Sequence, residues 1–233
     1  MRLQKYLTEE YAYGKFLKSV QTECKPYLND LKKYNIKPFL RGIKKLDVYG
    51  DTFGYKDIRQ NREPKGMAYE KAGVLNRWLE KNGHVRRDRA VMASSDRKHA
   101  GIFGGVCDIF PVGDYSYTWI KGRDMNQFDS EGKYYKALQC LYYLNMTQAE
   151  LEDFFWHIEG DWNLKDKLIK MYGEKIVNNY ETIVKEIFTT NKEMDIAYSH
   201  MYEIWFGETT KYYYMPIKND YYDVLLKDLG FGV

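Results

Sequence analysis

The chain has 233 residues, of which 44% are hydrophobic and 30% charged, with a formal net charge of +3. This length suffices for one sizeable hydrophobic core, and the small charge does not by itself indicate a nucleic-acid-binding protein. The chain has three scattered cysteines, Cys24, Cys107 and Cys140. No CxxC motif or Cys/His cluster accompanies them, which argues against a disulfide framework and a structural zinc site.

Hydropathy along the chain bears on its location. No apolar run approaches the roughly 18 to 20 residues that a membrane helix needs. The first ten residues, MRLQKYLTEE, lack the apolar centre of a secretory signal peptide. We therefore predict a cytoplasmic protein without a membrane partner. An intracellular effector encoded by a virus or mobile element, acting in the host-cell cytoplasm, is consistent with this pattern.

The first quarter of the chain predicts helices followed by one strand and a loop. Residues 8–34 read as one or two helices, with Pro26 and Asn35 as breaks. Residues 36–42 predict a short buried strand that ends in Arg-Gly. The polar, Gly-rich and charged residues 44–65 predict a long loop.

The next segment predicts a helix and then a strand that leads into a second helix. Residues 67–82 carry apolar side chains at helical spacing and close on Asn-Gly. Three arginines within residues 84–89 precede a predicted strand at 90–93, and such a run most often marks a solvated strand entry. Ser95 or Asp96 is placed to cap a short helix that extends to Phe103.

A predicted hairpin and a helical region follow. Residues 106–112 and 115–120 read as strands joined by a Gly-Asp turn. Residues 133–145 predict a helix, a capping box begins the next one, and helical character continues to about Thr190. We therefore predict a single α+β domain over residues 1–233, with N-terminal helices and a helical insert at about 130–195.

Two further strand-forming runs, residues 201–206 and 211–217, flank a Gly-containing gap of the length that joins hairpins. Glu203 is the only acid at the head of the first run, among apolar neighbours. A carboxylate there is either an exposed charge at a strand edge or a group held rigidly for chemistry.

Three motifs in chain order resemble those of the mono-ADP-ribosyltransferases of the Arg-Ser-Glu class. They are Arg41-Gly42 at the first strand, Ala93-Ser94-Ser95 after the second, and Glu203 at the start of a later strand. Together with their strand context they cover about a fifth of the chain. The resemblance implies a split, mixed or antiparallel β-sheet core and an enzyme that cleaves NAD.

The resemblance also implies a role for each residue. Glu203 would bind a ribose hydroxyl and stabilise the cationic ribose as nicotinamide leaves. Arg41 would hold a phosphate or ribose oxygen, for which a permanently charged, bidentate fork is suited. Gly42 would offer its backbone to the nicotinamide amide, and Ser94 would orient Glu203 and the ribose. The motif leaves Ser94 and Ser95 as alternatives for the active serine, and Phe103 joins the predicted cofactor-binding residues; no metal is expected.

The identity of the acceptor depends on position 201. Arginine-modifying members of the family carry a second acid, or a glutamine, two residues before the catalytic glutamate, whereas this chain has Met201. The resemblance therefore implies transfer to an acceptor other than arginine, which could be a host protein, a nucleic acid or a small molecule. Plain hydrolysis of NAD remains an alternative.

The competing interpretation is a nucleic-acid-binding protein without enzymatic activity. It would use the basic segment, defined as Arg86, Arg87, Arg89, Arg97 and Lys98, to contact phosphates, while some of the 23 tyrosines stack on bases. A further pair, Asp153 and His157, could share a helical face, but no third ligand at a suitable spacing supports a metal site.

Overall fold

Two helices begin the chain, and they break where the sequence predicts. The computed structural model describes residues 2–44, 52–60, 62–63, 67–122, 128–154 and 163–232. Helix α1 spans Arg2–Glu23 and α2 spans Lys25–Tyr34, with Pro26 in the first turn of α2, where a missing N–H costs nothing. Asn35 ends α2 in the left-handed conformation, with φ 53°.

Eight strands form two antiparallel sheets in the described part of the chain. The first sheet has the order β1-β4-β8-β2, and the second has the order β3-β7-β5-β6. The strands are β1 Leu40–Ile43, β2 Gly54–Asp57, β3 Val91–Ala93, β4 Gly105–Pro111, β5 Ser116–Ile120, β6 Phe188–Thr190, β7 Ile204–Gly207 and β8 Lys211–Pro216. The prediction of a mixed α+β fold is therefore confirmed.

Both predicted hairpins are wrong, although their strands exist. Strand β4 pairs with β1 and β8, whereas β5 pairs with β6 and β7. In the same way β7 lies in the second sheet and β8 in the first. Each short connection therefore carries the chain from one sheet to the other. When strands are buried on both faces, packing between the sheets determines which strands pair. A turn motif alone does not show this pairing.

The remaining helices lie between and after these strands. They are α3 Tyr69–Lys81, α4 Arg97–Ile102, α5 Lys133–Leu144, α6 Gln148–Phe154, α7 Leu164–Tyr172, α8 Glu174–Lys185, α9 Met194–Ser199 and α10 Tyr222–Asp228, with a 3₁₀ turn at Arg87–Arg89. The predicted caps are present: Asp96 accepts from the backbone N–H groups of Lys98 and His99. Thr147 and Glu150 exchange the hydrogen bonds of a capping box.

Several predicted boundaries differ from the structure. Strand β2 lies within the predicted loop 44–65, and β6 occupies residues 188–190, where helix was expected. Both are edge strands, and their pairing with β8 and β5 stabilises segments with weak strand signals of their own. Strand β1 begins at Leu40 rather than 36, and β7 begins at Ile204 rather than 201. His157 lies outside the described residues.

Two hydrophobic cores cover the two faces of the second sheet. The first core lies between the sheets and includes Ile204 and Phe206 of β7, together with side chains of α1, α2 and α10. The second core contains Trp205 and side chains of α3, α5 and α8. Successive residues of a strand point to opposite faces, so β7 contributes to both cores and must be apolar throughout. Only a residue at its end can carry a charge.

Within the described residues, no helix is long and apolar enough to cross a membrane. The same residues contain no group of three or more His, Cys, Asp or Glu side chains able to hold a metal ion. All three cysteines are buried as free thiols.

Candidate functional site

Arg41 connects the two sheets at one end of the molecule. It lies in the middle of β1, and its Nη1 donates a 2.6 Å hydrogen bond to the carbonyl oxygen of Met92 on β3. Its guanidinium carbon lies 6.0 Å from the centre of the Tyr212 ring on β8. Burial raises the pKa of the Tyr212 hydroxyl, and the adjacent Arg41 partly offsets that effect. Arg41 is therefore fixed by contacts with both sheets.

Ser94 lies where the sheets join. Its backbone exchanges two hydrogen bonds with Leu40, of 2.8 and 2.9 Å, which link β1 to the end of β3. Its hydroxyl donates to the carbonyl oxygen of Met201 at 3.2 Å. Ser94 is 2% exposed, whereas Ser95 is half-buried and its hydroxyl donates to the Tyr198 carbonyl oxygen. Of the two serines, Ser94 is the one bonded close to Glu203.

Glu203 precedes β7 and is only 4% exposed. Because Ala93 pairs with Ile204, continuing this register by one residue places Ser94 opposite Glu203. The Oε1 atom accepts a 2.7 Å hydrogen bond from Nε1 of Trp205 and lies 3.7 Å from Nη2 of Arg87. The carboxylate is therefore not an exposed edge charge. It is held in a fixed position by a tryptophan on the same strand face.

Arg87 and Arg62 approach this carboxylate, and Arg41 lies close to Arg62. Arg87 begins the 3₁₀ turn, and the Arg62 backbone N–H donates to the carbonyl oxygen of the next residue in that turn, Asp88. The pKa of the Arg62 guanidinium falls to about 10, chiefly because burial disfavours its charge and next because Arg41 and Arg87 repel it. Glu203 offsets part of that repulsion. We call Arg41, Arg62 and Arg87 the arginine cluster.

Gly42 presents its backbone towards the junction of the sheets. Alternate residues of an antiparallel strand direct their backbone groups to the same edge. Since Leu40 bonds Ser94, the N–H and C=O groups of Gly42 point to that edge too, on the side of β1 where β3 lies. On the face opposite the Arg41 side chain, an added Cβ at Gly42 would lie 2.1 Å from the Ala100 carbonyl oxygen. Close packing against α4 therefore requires glycine here.

The structure brings together some of the predicted site residues and separates others. Arg41, Ser94 and Glu203 meet at the junction of the sheets, with Gly42 beside them. Phe103 ends α4 on the Gly42 face of β1, is 46% exposed, and contacts the ring of His99 with centres 5.4 Å apart. It lies on the face opposite the Arg41 side chain.

Sequence reasoning missed two contacts of Glu203. Trp205 follows it by two residues and shares its strand face, so the period of a strand could have indicated the hydrogen bond. Arg87 was assigned to a solvated strand entry, yet its side chain is only 13% exposed. Arg62 comes from a polar segment with no periodicity, and no sequence signal marks its approach to Glu203.

The basic segment does not form one surface. Arg86 pairs with Asp88 at 2.7 Å and with Glu80 at 3.1 Å, while Arg87 turns inwards to Glu203. Arg89, Arg97 and Lys98 are exposed. Two of the five cations are thus engaged by carboxylates within the protein.

Comparison of the chain with protein-family models, with characterised proteins and with solved structures found no match.

Proposed function

We propose that the protein cleaves the nicotinamide–ribose bond of NAD and transfers ADP-ribose to an acceptor other than arginine, within an ADP-ribosyltransferase-like split-sheet fold. The observation that supports this most is the meeting of Arg41, Ser94 and Glu203. They come from three separate segments and converge where the two antiparallel sheets join. Their order along the chain is the one that the resemblance requires.

The chemistry of the cleavage matches a buried, fixed carboxylate. As the bond between ribose C1′ and the nicotinamide nitrogen breaks, its electron pair leaves with neutral nicotinamide. The ribose then carries oxocarbenium-like positive charge, until an oxygen or nitrogen of the acceptor bonds to C1′ and loses a proton. A carboxylate fixed in a low-dielectric site stabilises such a charge without reorganising. The hydrogen bond from Trp205 supplies that fixation for Glu203.

Ser94 and Gly42 serve the same site through positioning and backbone contacts. The Ser94 hydroxyl holds the carbonyl oxygen of Met201, two residues before the carboxylate. It thereby sets the course of the chain into Glu203. The Gly42 backbone, directed to the same edge, offers one donor and one acceptor, which is the pattern that an amide such as nicotinamide binds.

Met201 lies where arginine-modifying enzymes carry an acid or a glutamine, so we propose an acceptor other than arginine. Met201 is 42% exposed and adopts a left-handed conformation with φ 57°, unusual for a residue with a Cβ atom. It therefore presents a thioether, with no charge, beside Glu203. A guanidinium acceptor would find no carboxylate at this position.

Release of nicotinamide from NAD by the purified protein tests the proposal. Glu203→Gln keeps the size of the side chain but removes its charge, and we expect it to lower the release rate by about a hundredfold or more. Glu208→Gln is a matched control, because Glu208 is exposed at the end of β7. The proposal fails if the Glu203→Gln protein releases nicotinamide at the native rate. It also fails if the native protein neither binds NAD nor releases nicotinamide in the presence of a host lysate.

A further inference from the structure

The arginine cluster has more positive charge than its carboxylate neighbour can balance. We propose that Arg41, Arg62 and Arg87 together bind the diphosphate group of a nucleoside diphosphate ester, and that Arg87 leaves Glu203 for the ligand. The identification of that ester as NAD rests on the proposed function. Binding of a diphosphate does not, because it requires no catalysis.

The three guanidinium groups come from different parts of the fold and converge on one place. Arg41 stands on β1, Arg62 follows β2, and Arg87 begins the 3₁₀ turn. The hydrogen bond from the Arg62 backbone N–H to the Asp88 carbonyl oxygen, at 3.0 Å, joins the last two segments. Arg41 bonds Met92, which pairs with Trp205 next to Arg87, and the charge of Arg41 acts on Arg62. Such convergence is costly in free energy unless an anion is present to offset the repulsion.

Arg87 supplies the observation that points most directly to a ligand. Its side chain is 13% exposed, and its Nε atom is buried with no hydrogen-bond acceptor among the described residues. Its guanidinium carbon lies 5.7 Å from the centre of the Trp205 ring. A buried N–H without an acceptor is destabilising, and a guanidinium presents paired donors that match two phosphate oxygens.

The charge in this site indicates the class of ligand. Three guanidinium groups beside one carboxylate leave an excess of two positive charges among these four side chains. The diphosphate of a dinucleotide carries two negative charges, so it would neutralise that excess. An arginine has five N–H donors, and the contacts of Arg41 with Met92 and Tyr212 use only part of that capacity.

The position of the cluster favours a small molecule over a nucleic-acid polymer. Arg41, Arg62 and Arg87 are all partly buried, whereas a polymer backbone engages cations on an open surface. The exposed cations, Arg89, Arg97 and Lys98, lie outside the cluster. Partly buried guanidinium groups therefore suit a compact diphosphate better than a polymer backbone.

Transfer of Arg87 from Glu203 to the diphosphate also explains how the nearly buried Glu203 carboxylate becomes accessible to the ribose. The 3.7 Å separation between Arg87 Nη2 and Glu203 Oε1 is an ion pair without a hydrogen bond between these two atoms. A phosphate accepting from Arg87 would form a stronger, charge-assisted bond. Arg87 would then move towards the ligand and uncover the carboxylate at the moment that the substrate arrives.

Calorimetric titration with ADP tests the inference separately from catalysis. We expect ADP to bind the native protein, adenosine to bind at least tenfold more weakly, and Arg87→Gln and Arg62→Gln each to weaken ADP binding about tenfold or more. Arg89→Gln is the matched control, since this exposed residue lies on the same 3₁₀ turn. Thermal unfolding of each variant establishes that it is folded. If Arg87→Gln does not fold, Arg62→Gln still tests the inference.

Glu203→Gln provides a readout that a structural role of the arginines would not produce. It removes the carboxylate that competes for Arg87, so ADP should bind several-fold more tightly while nicotinamide release is lost. ADP binding without nicotinamide release would support this inference and overturn the proposed function. Nicotinamide release with no ADP binding, or with ADP affinity unchanged in both arginine variants, would overturn the inference alone. Tighter binding of a single-stranded oligonucleotide than of ADP, lost in Arg87→Gln, would also overturn it.

Discussion

Substitution of Gly42 by alanine tests whether β1 has a glycine because α4 packs closely against it or because the chain needs flexibility there. In Gly42→Ala the new Cβ would lie 2.1 Å from the Ala100 carbonyl oxygen and 2.8 Å from both the carbonyl carbon and the Cβ of Phe103. The nearest obstacle is backbone, which cannot rotate aside, so α4 must shift away from β1. We expect a loss of about 3 kcal/mol in the free energy of unfolding, at the upper end for overpacking.

For a chain of this size, that loss corresponds to a fall in Tm of roughly 6 to 12 °C. Urea unfolding followed by tryptophan fluorescence measures it well, because Trp119 and Trp205 are almost fully buried. Gly101→Ala is the control on α4: its Cβ would lie 3.7 Å from a methyl group of Val106, an ordinary contact. Alanine in a helix should stabilise it by up to about 1 kcal/mol. The reasoning is refuted if Gly42→Ala stays within about 0.5 kcal/mol of the native protein, or if both variants lose the same stability.

Three further predictions concern buried titratable groups and a helix cap. Burial raises the pKa of Asp108 well above its usual value, so native stability should decline as pH rises above about 4, where the unfolded carboxyl ionises. Asp108→Asn should flatten this decline in urea unfolding between pH 5 and 8, and parallel profiles would contradict it. Burial also raises the pKa of the Cys107 thiol to about 12 and of the Cys140 thiol to about 11, so a thiol reagent should label neither until urea unfolds the protein. Rapid labelling of the native chain would be the contrary result. Thr147→Ala should lower the free energy of unfolding by about 1 kcal/mol in urea titration, because it removes one half of a capping box; an unchanged midpoint would show that the box contributes nothing.

Local chemistry determined where three of the helices begin or end. Pro26 and Asn35 frame α2, Asp96 caps α4, and Thr147 with Glu150 caps α6, each through a contact between near neighbours in the chain. Such contacts depend on residue type and spacing, so they can be predicted from the sequence. The resemblance to the Arg-Ser-Glu class likewise selected Arg41, Ser94 and Glu203 from order and strand context alone.

Only the tertiary structure decided which strands pair and what surrounds Glu203. The turns after β4 and β7 fit hairpins locally, yet each strand gains more by burying its two faces in separate layers, and the chain crosses between sheets instead. Packing of the two sheets against each other likewise brings Arg41 to Met92, and Arg62 and Arg87 to the carboxylate. Contacts between segments distant along the chain depend on packing of the whole core, and no local pattern of residues encodes them.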